Sequence, residues 1–137
     1  MEKINSIIKK FIGRKLVIIG DIILDKFLIG EVSRINPEAP VPVVLLKKEF
    51  NNLGGAANVA ANISSLGGAP VLFGFVGKDR GAEILVDLLT KKNITYFLDN
   101  NEITTVKSRV LGGNQQLLRF DKEETKEKIF SRETKKI

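Results

Sequence analysis

A run of small residues bracketed by paired glycines constrains this chain more than any other stretch. It covers residues 53–68, opens on Gly54-Gly55 and closes on Gly67-Gly68. Adjacent glycines permit backbone angles that other residues resist, and the small and apolar residues between them recur at helical spacing. The pattern predicts a tight loop that enters a buried helix, which the second glycine pair ends.

The start of that helix is a candidate binding site. The first backbone N–H groups of a helix lack intrahelical acceptors, the helix dipole is positive there, and glycine lets a ligand approach the main chain. Asn58 falls in the first turn, where its amide can both donate to and accept from a hydroxyl. The stretch therefore suits a polyhydroxylated or anionic small molecule. The alternative is that the glycines serve only tight packing and Asn58 is a local cap.

The composition limits both the class of protein and its chemistry. A chain of 137 residues with 43% hydrophobic and 28% charged residues is typical of one globular domain. The sequence contains no cysteine, which removes disulfide and thiolate chemistry, and no histidine, which removes the commonest general base near neutral pH. Any acid–base step carried by this chain falls to carboxylates or lysines.

The net charge of +6 does not by itself indicate nucleic-acid binding. The Lys and Arg residues are scattered, and aromatic residues do not interleave with them as in a single-strand platform. The apolar runs are far shorter than the roughly 20 residues that cross a bilayer, and the first residues lack the apolar core of a signal peptide. We expect a cytoplasmic protein that binds neither nucleic acid nor membrane.

The order of the predicted elements indicates an α/β fold with a parallel sheet. They are an amphipathic helix over 3–12, a strand over 16–19 buried on both faces, the small-residue helix, a strand over 70–77, a helix capped by Asp79 and stopped by Asn93, a strand over 94–98 and a polar turn over 99–101.

Two further parts of the chain predict β-structure outside the parallel sheet. Extended segments at 27–30 and 41–46 flank a proline-punctuated loop, which predicts a small β-flap separate from the main sheet. A hairpin is predicted where segments 104–111 and 115–120 are joined by Gly112-Gly113-Asn114. From Lys122 onward, mixed charge with few apolar residues predicts a surface helix or a frayed tail.

Acidic residues at the end of the first strand are candidates for holding a hydroxylated ligand. Asp21 and Asp25 lie where ligands bind in open α/β sheets, beyond the carboxyl end of a strand. Carboxylates accept hydrogen bonds from neighbouring hydroxyls, although an ordinary turn or cap is the commoner role for an Asp at such a position. Gly77-Lys78 is not a phosphate-binding P-loop, because Leu72 and Asp79 occupy the required glycine and Ser/Thr positions.

Basic residues in the extended segments are candidates for binding phosphate. The guanidinium fork of Arg34 matches phosphate oxygens, but an ion pair with Glu38 explains that arginine equally well. Strand alternation places Lys107 and Arg109 on one face, where they can grip a phosphate together. A lysine that protects an exposed strand edge is the competing explanation for Lys107.

The spacing of the small-residue stretch resembles the N-terminal signature of the ribokinase-like (PfkB) carbohydrate kinases. The resemblance runs from about residue 16 to about residue 121, and segments 20–25, 33–44 and 109–119 look most like the kinase domain of bacterial heptose-7-phosphate kinases. The positions that match the family signature are Gly54, Gly55, Ala56, Asn58, Ala60, Gly67 and Gly77.

The resemblance implies a fold, an activity and a set of binding residues. The fold is a partial ribokinase-like parallel-sheet sandwich over residues 1–121, with lid segments at about 27–48 and 104–120. The activity is transfer of phosphate from ATP to the anomeric hydroxyl of heptose 7-phosphate in ADP-heptose and lipopolysaccharide synthesis, with ATP and Mg²⁺ serving the complete enzyme. The implied substrate-binding residues are Asp21, Asp25, Arg34, Gly54, Gly55, Asn58, Lys107, Arg109, Asn114 and Gln116.

The sequence also departs from the family pattern. Nothing after Asp121 resembles the glycine-rich anion hole and catalytic aspartate that such kinases carry in a second half. We therefore expect the substrate-binding half of a sugar kinase, inactive alone, with neither catalytic residues nor metal ligands, that associates with a second copy through the lid or with a missing half. The alternatives are another ribokinase-like specificity, such as ribose, fructose phosphate or a nucleoside, or a non-catalytic module that assembles through the flap.

Overall fold

The computed structural model of the chain describes residues 2–100, 103–125, 129–131 and 133–136. The helices and strands are, in chain order, α1 (Glu2–Lys9), β1 (Lys15–Ile19), β2 (Ile22–Ile35), β3 (Pro42–Gly54), α2 (Gly55–Ser65), β4 (Ala69–Val76), α3 (Arg80–Lys91), β5 (Thr95–Asn100), β6 (Thr105–Gly112), β7 (Gln115–Lys122) and a short 3₁₀ helix (Thr134–Lys136).

A three-stranded parallel sheet forms one layer of the molecule. Its order is β1-β4-β5, with β4 in the centre. The core includes Ala57 and Ala60 of α2, Leu72 of β4, and Leu85 and Leu89 of α3, all of them fully shielded from solvent. The alternation of strand and helix that the sequence predicts is confirmed, and the small-residue helix has its alanines buried in that core.

A second sheet of four strands, in the order β3-β2-β6-β7, is here called the lid sheet. β2 pairs in parallel with β6, whereas the pairs β2–β3 and β6–β7 are antiparallel. The predicted flap is part of this sheet, but its strands are longer than the sequence pattern indicates. Because β2 begins at Ile22 and β3 ends at Gly54, the lid sheet leads directly into α2.

Most local signals in the sequence act as predicted. The Asp79 carboxylate accepts a hydrogen bond from the Ala82 amide at 3.1 Å and caps α3, and Asn93 has a φ of +53° just after that helix ends. Gly67 has a φ of +83° after α2, and Gly113 and Asn114 form the turn between β6 and β7.

Two predictions about strands are wrong. β1 is not buried on both faces, because Val17 and Ile19 are 65% and 68% exposed on the face that α2 does not cover. The polar segment 99–101 is not simply a turn, since Asp99 and Asn100 pair with Phe75 and Val76 and extend β5. Residue 101 lies outside the described residues, as does part of the segment 122–137, for which a surface helix or frayed tail stays a prediction.

In the part of the chain that the structure describes, no helix is long and apolar enough to cross a membrane.

Candidate functional site

A hollow of about 330 Å³ lies between α2 and the base of the lid sheet, and is here called the α2 hollow. It brings Asp25 of β2 and Asn58 of α2 together, although 32 residues lie between them in the sequence and they belong to different elements. Carboxylate, amide, hydroxyl and ammonium groups dominate its walls. The lining residues are Asp25, Phe27, Asn52, Leu53, Asn58, Ala61, Asn62, Ser65 and Lys92.

Two glycines form the entry to α2 beside this hollow. A Cβ atom on Gly54 would lie 2.5 Å from Oδ2 of Asp25, so that only glycine lets this carboxylate rest against the main chain. Gly55 has a φ of +56°, a conformation that other residues rarely adopt, and a side chain there would collide with the Asp21 carbonyl. Both glycines are therefore needed for the geometry in which Asp25 lies.

The Asp25 carboxylate forms an ion pair with Arg109. Nη1 of Arg109 donates to Oδ1 of Asp25 at 2.5 Å, and both side chains are less than a quarter exposed. The Arg109 guanidinium lies 5.3 Å from the ring centroid of Phe27, which stacks on Phe50 at 4.9 Å. The pair thus fixes the orientation of Asp25, and the stacked aromatic rings support the arginine.

A second hollow of about 320 Å³ lies beside β6 and is here called the β6 hollow. Asp21, Ile23, Thr105 and Lys107 line it together with residues 123–125. Asp21 and Lys107 therefore share a hollow that is distinct from that of Asp25 and Asn58. Lys107 and Arg109 do lie on one face of β6, but Arg109 contacts Asp25 while Lys107 faces the β6 hollow.

Three predicted site residues lie at the far end of the lid sheet and line neither hollow. Arg34 pairs with Val43, and nine residues of extended strand from Asp25 to Arg34 span about 30 Å. Asn114 is in the turn after β6 and Gln116 pairs with Leu111. The predicted alternative for Arg34 is not found either, since no ion pair between Arg34 and Glu38 is present among the described residues.

Four polar residues of the α2 hollow were not predicted from the sequence: Asn52, Asn62, Ser65 and Lys92. Asn62 could have been found, because it follows Asn58 by four residues and so lies on the same helical face. Asn52 is placed by its cross-strand pairing with Asp25, which the sequence pattern does not specify. Lys92 is placed by packing, since the Ser64 hydroxyl donates to the Lys92 carbonyl at 2.8 Å and joins the ends of α2 and α3.

Asp79 connects the α3 N-terminus with the start of β6. Its Oδ2 atom accepts from the Thr104 amide at 3.1 Å, and the Thr104 hydroxyl in turn accepts from the Gly77 amide at 2.9 Å. Burial opposes ionisation of Asp79, but hydrogen bonds from Thr104, Ala82 and Lys122 outweigh it and lower the pKa of the carboxyl to about 2. These hydrogen bonds hold Thr104, two residues before Val106, and so fix the point at which β6 enters the lid sheet.

The fold defines a class of protein. An α/β layer with a parallel sheet beside a mixed lid sheet is the ribokinase-like fold. The fold resembles a carbohydrate kinase from Agrobacterium tumefaciens, with a TM-score of 0.66 and 17% identity over 80% of this chain and 35% of that one. It also resembles an Arabidopsis thaliana ribokinase solved with ribose and ATP, with a TM-score of 0.61 and 20% identity over 80% of this chain and 36% of that one.

The chain belongs to the pfkB family of carbohydrate kinases, whose family model matches residues 14–135. It is 40% identical over 127 residues to the bifunctional protein HldE of Magnetococcus marinus, covering 88% of this chain and 25% of that protein. It is 48% identical over 113 residues to the bifunctional protein HldE of Coxiella burnetii, covering 81% of this chain and 24% of that protein. The family resemblance seen in the sequence is confirmed, and the chain spans about a quarter of the length of these curated relatives.

Proposed function

We propose that this chain forms the substrate-binding part of a kinase that transfers phosphate from ATP to the anomeric hydroxyl of heptose 7-phosphate. The observation that carries the proposal is the α2 hollow, in which Asp25 and Asn58 meet beside Gly54 and Gly55. Membership of the pfkB family supports phosphoryl transfer to a carbohydrate. The segments that resemble heptose-7-phosphate kinases, together with the similarity to HldE proteins, favour a heptose over other sugars.

In this proposal the residues of the α2 hollow bind the hydroxyl groups of the sugar. The Asp25 carboxylate accepts hydrogen bonds from two neighbouring hydroxyls, and the Asn58 amide supplies one donor and one acceptor. The main chain of Gly54 and Gly55 is proposed to contact the sugar beside Asp25, whose carboxylate lies in the side-chain space of Gly54. Arg109 keeps the carboxylate oriented and offsets its charge before the sugar arrives.

The phosphate group of the substrate is proposed to lie toward the cations of β6. Lys107 faces the β6 hollow, and Arg109 lies on the same face of β6 and pairs with Asp25, while Asp21 supports the rim. Arg34, Asn114 and Gln116 remain predicted binding residues, now placed at the far end of the lid sheet. These three residues could contact a substrate held near Asp25 only if the lid sheet took up a different position.

ATP and Mg²⁺ are proposed for the complete enzyme. Among the described residues, no group of three or more Asp, Glu, His or Cys side chains is arranged to hold a metal ion, so these residues do not fit that role. We expect the 137-residue chain to consume no ATP in the presence of Mg²⁺ and heptose 7-phosphate, and measurable turnover would contradict this.

We also propose that the lid sheet forms a homodimer contact. The face of this sheet opposite Asp25 carries apolar side chains in register on neighbouring strands, and most of them are exposed. They are Val32, Val44, Leu46, Val110, Leu118 and Phe120. This surface also supports the alternative of a non-catalytic assembly module. Titration with sugar phosphates distinguishes such a module from the substrate-binding part of a kinase.

The test is a titration of the ¹⁵N-labelled chain with heptose 7-phosphate, followed by amide chemical shifts. We expect weak binding with shifts at Asn58, Asn62 and the Gly54-Gly55 amides, and at least a tenfold loss of affinity in the D25N variant. The matched control is D87N, because Asp87 pairs with Lys91 on the exposed face of α3. Tighter binding of ribose 5-phosphate or fructose 6-phosphate would favour another specificity, and no binding of any sugar phosphate would favour the assembly module.

A further inference from the structure

The α2 hollow extends beyond the two residues that define the proposed sugar site. Asn62 lies one helical turn past Asn58, and Ser65 lies almost one turn further, so that the polar face of α2 runs for about 10 Å. Opposite this face, Asn52 of β3 is the cross-strand partner of Asp25. The hollow is thus an elongated groove with hydrogen-bonding groups along both walls.

The amide side chains in this groove are available for a ligand. Within the described part of the chain, the side chains of Asn52, Asn58 and Asn62 form no hydrogen bond with another protein group. Each carboxamide offers two N–H donors and a carbonyl acceptor. Hydroxyl groups, which both donate and accept, are the ligand groups that such a row of amides matches best.

The charges at the far end of the groove oppose one another. The C-terminal ends of α2 and α3 converge there, joined by the Ser64–Lys92 hydrogen bond, and helix C-termini carry partial negative charge. Lys92 lines the same end of the groove with a positive charge of opposite sign, and Arg109 pairs with Asp25 at the other end. The groove therefore suits a neutral polyol chain better than a phosphate group.

We infer that Asn62 and Asn52 bind hydroxyls of the sugar that a five-carbon sugar seated on Asp25 and Asn58 does not reach, and that the phosphate group lies outside the α2 hollow. This inference rests on the proposed function and adds the residues that select a longer carbon chain. Asn58 and Asn62 are about 6 Å apart along the helix axis, which exceeds the separation of neighbouring hydroxyls on one sugar.

The experiment compares heptose 7-phosphate, ribose 5-phosphate and inorganic phosphate as ligands of the wild-type chain and of N62A. Alanine has the highest helix propensity, so N62A keeps α2 folded. We expect N62A to weaken heptose 7-phosphate binding by about fivefold to tenfold, the effect of one lost hydrogen bond, and to leave ribose 5-phosphate binding within about twofold. N52A is likewise expected to weaken heptose 7-phosphate binding more than ribose 5-phosphate binding.

V59A is the matched control, because Val59 is on the same helix, is half exposed and does not line the hollow. Inorganic phosphate should leave the amide signals of Asn58, Asn62 and Ser65 unshifted. Equal losses for both sugars in N62A, an unchanged affinity for heptose 7-phosphate, or phosphate shifts at these amides would overturn the inference while leaving the proposed function in place. A wild-type chain that binds neither sugar would overturn both.

Discussion

Gly54 and Asp25 determine each other's place in the candidate site. The carboxylate occupies the space that a side chain at position 54 would need, and Gly55 then turns the chain into α2 with a positive φ. The sequence was sufficient to predict these residues and Asn58, because a glycine pair, a helix start and a strand end are local signals. It was not sufficient for Asn52 and Lys92, whose positions depend on strand register and on the packing of two helices.

The G54A variant tests this dependence. Gly54 has extended backbone angles that alanine also adopts, so the strain comes from the added methyl group against the Asp25 carboxylate. We expect a loss of about 1–3 kcal/mol in the free energy of unfolding and at least a tenfold loss in heptose 7-phosphate affinity. Calorimetric titration measures the affinity and urea unfolding measures the stability. G113A is the control in both, since a Cβ at position 113 meets no atom within 4 Å and only the positive φ is strained.

The ion pair between Arg109 and Asp25 provides a second prediction. In R109Q the partly buried carboxylate loses a charge-assisted hydrogen bond, so we expect the free energy of unfolding to fall by about 1–2 kcal/mol. R119Q removes an ion pair with Asp121 in which the arginine is more exposed, so it should destabilise the fold less than R109Q does. Urea unfolding measures both, and equal effects of the two substitutions would contradict the structural role of the Arg109 pair.

At the scale of helices and strands, boundaries that depend on capping were predictable and those that depend on pairing were not. Asp79, Asn93 and Gly67 mark helix ends through their own backbone or side-chain chemistry. The lengths of β2 and β3 depend on each other and on β6, so short apolar segments underestimated both strands. The exposure of one face of β1 was not predicted for a similar reason, because an apolar sequence does not specify which element covers it.

The junction of β4, α3 and β6 at Asp79 gives a pH-dependent prediction. Since folding lowers the pKa of Asp79 from 3.8 to about 2, its ionised form stabilises the fold above pH 4, and this contribution disappears as the pH falls to about 2. D79N retains an acceptor for the helix cap but not the charge. We expect wild type to be more stable than D79N at pH 6, with the difference shrinking between pH 4 and pH 2 in urea unfolding. D87N, on an exposed pair, should differ little from wild type at pH 6, and a pH-independent difference for D79N would contradict the prediction.

At the scale of the whole molecule, two sheets of different construction share one helix. The parallel layer supplies α2 and its buried alanines, whereas the lid sheet supplies Asp25 and Arg109, so that neither part contains the candidate site alone. The sequence predicted the parallel sheet, the flap and the hairpin, but it did not predict that the flap and the hairpin form one sheet or that the cations of β6 would be divided between two hollows. That division follows from the position of Asp25 opposite β6, which only the parallel pairing of β2 with β6 determines.

The apolar face of the lid sheet leads to a prediction about association. Leu46 and Leu118 are 50% and 55% exposed on that face, and burying them against a second copy is favourable. We expect light scattering coupled to size exclusion to show a dimer at micromolar concentrations, and L46K or L118K to shift it toward monomer. I12K is the control, since Ile12 is 67% exposed outside the lid sheet. A wild-type monomer at all concentrations, or an equal shift in the control, would contradict a lid-mediated dimer.

The parallel pairing of β2 with β6 has a consequence for how the chain folds. Five elements, β3, α2, β4, α3 and β5, lie between β2 and β6 in the chain, so the central pairing of the lid sheet joins early and late parts of the described chain. Pairings between residues distant in sequence form slowly, because the intervening loop must first be closed. The candidate site is therefore completed late in folding, and during synthesis Asp25 stays without its arginine until β6 has been made.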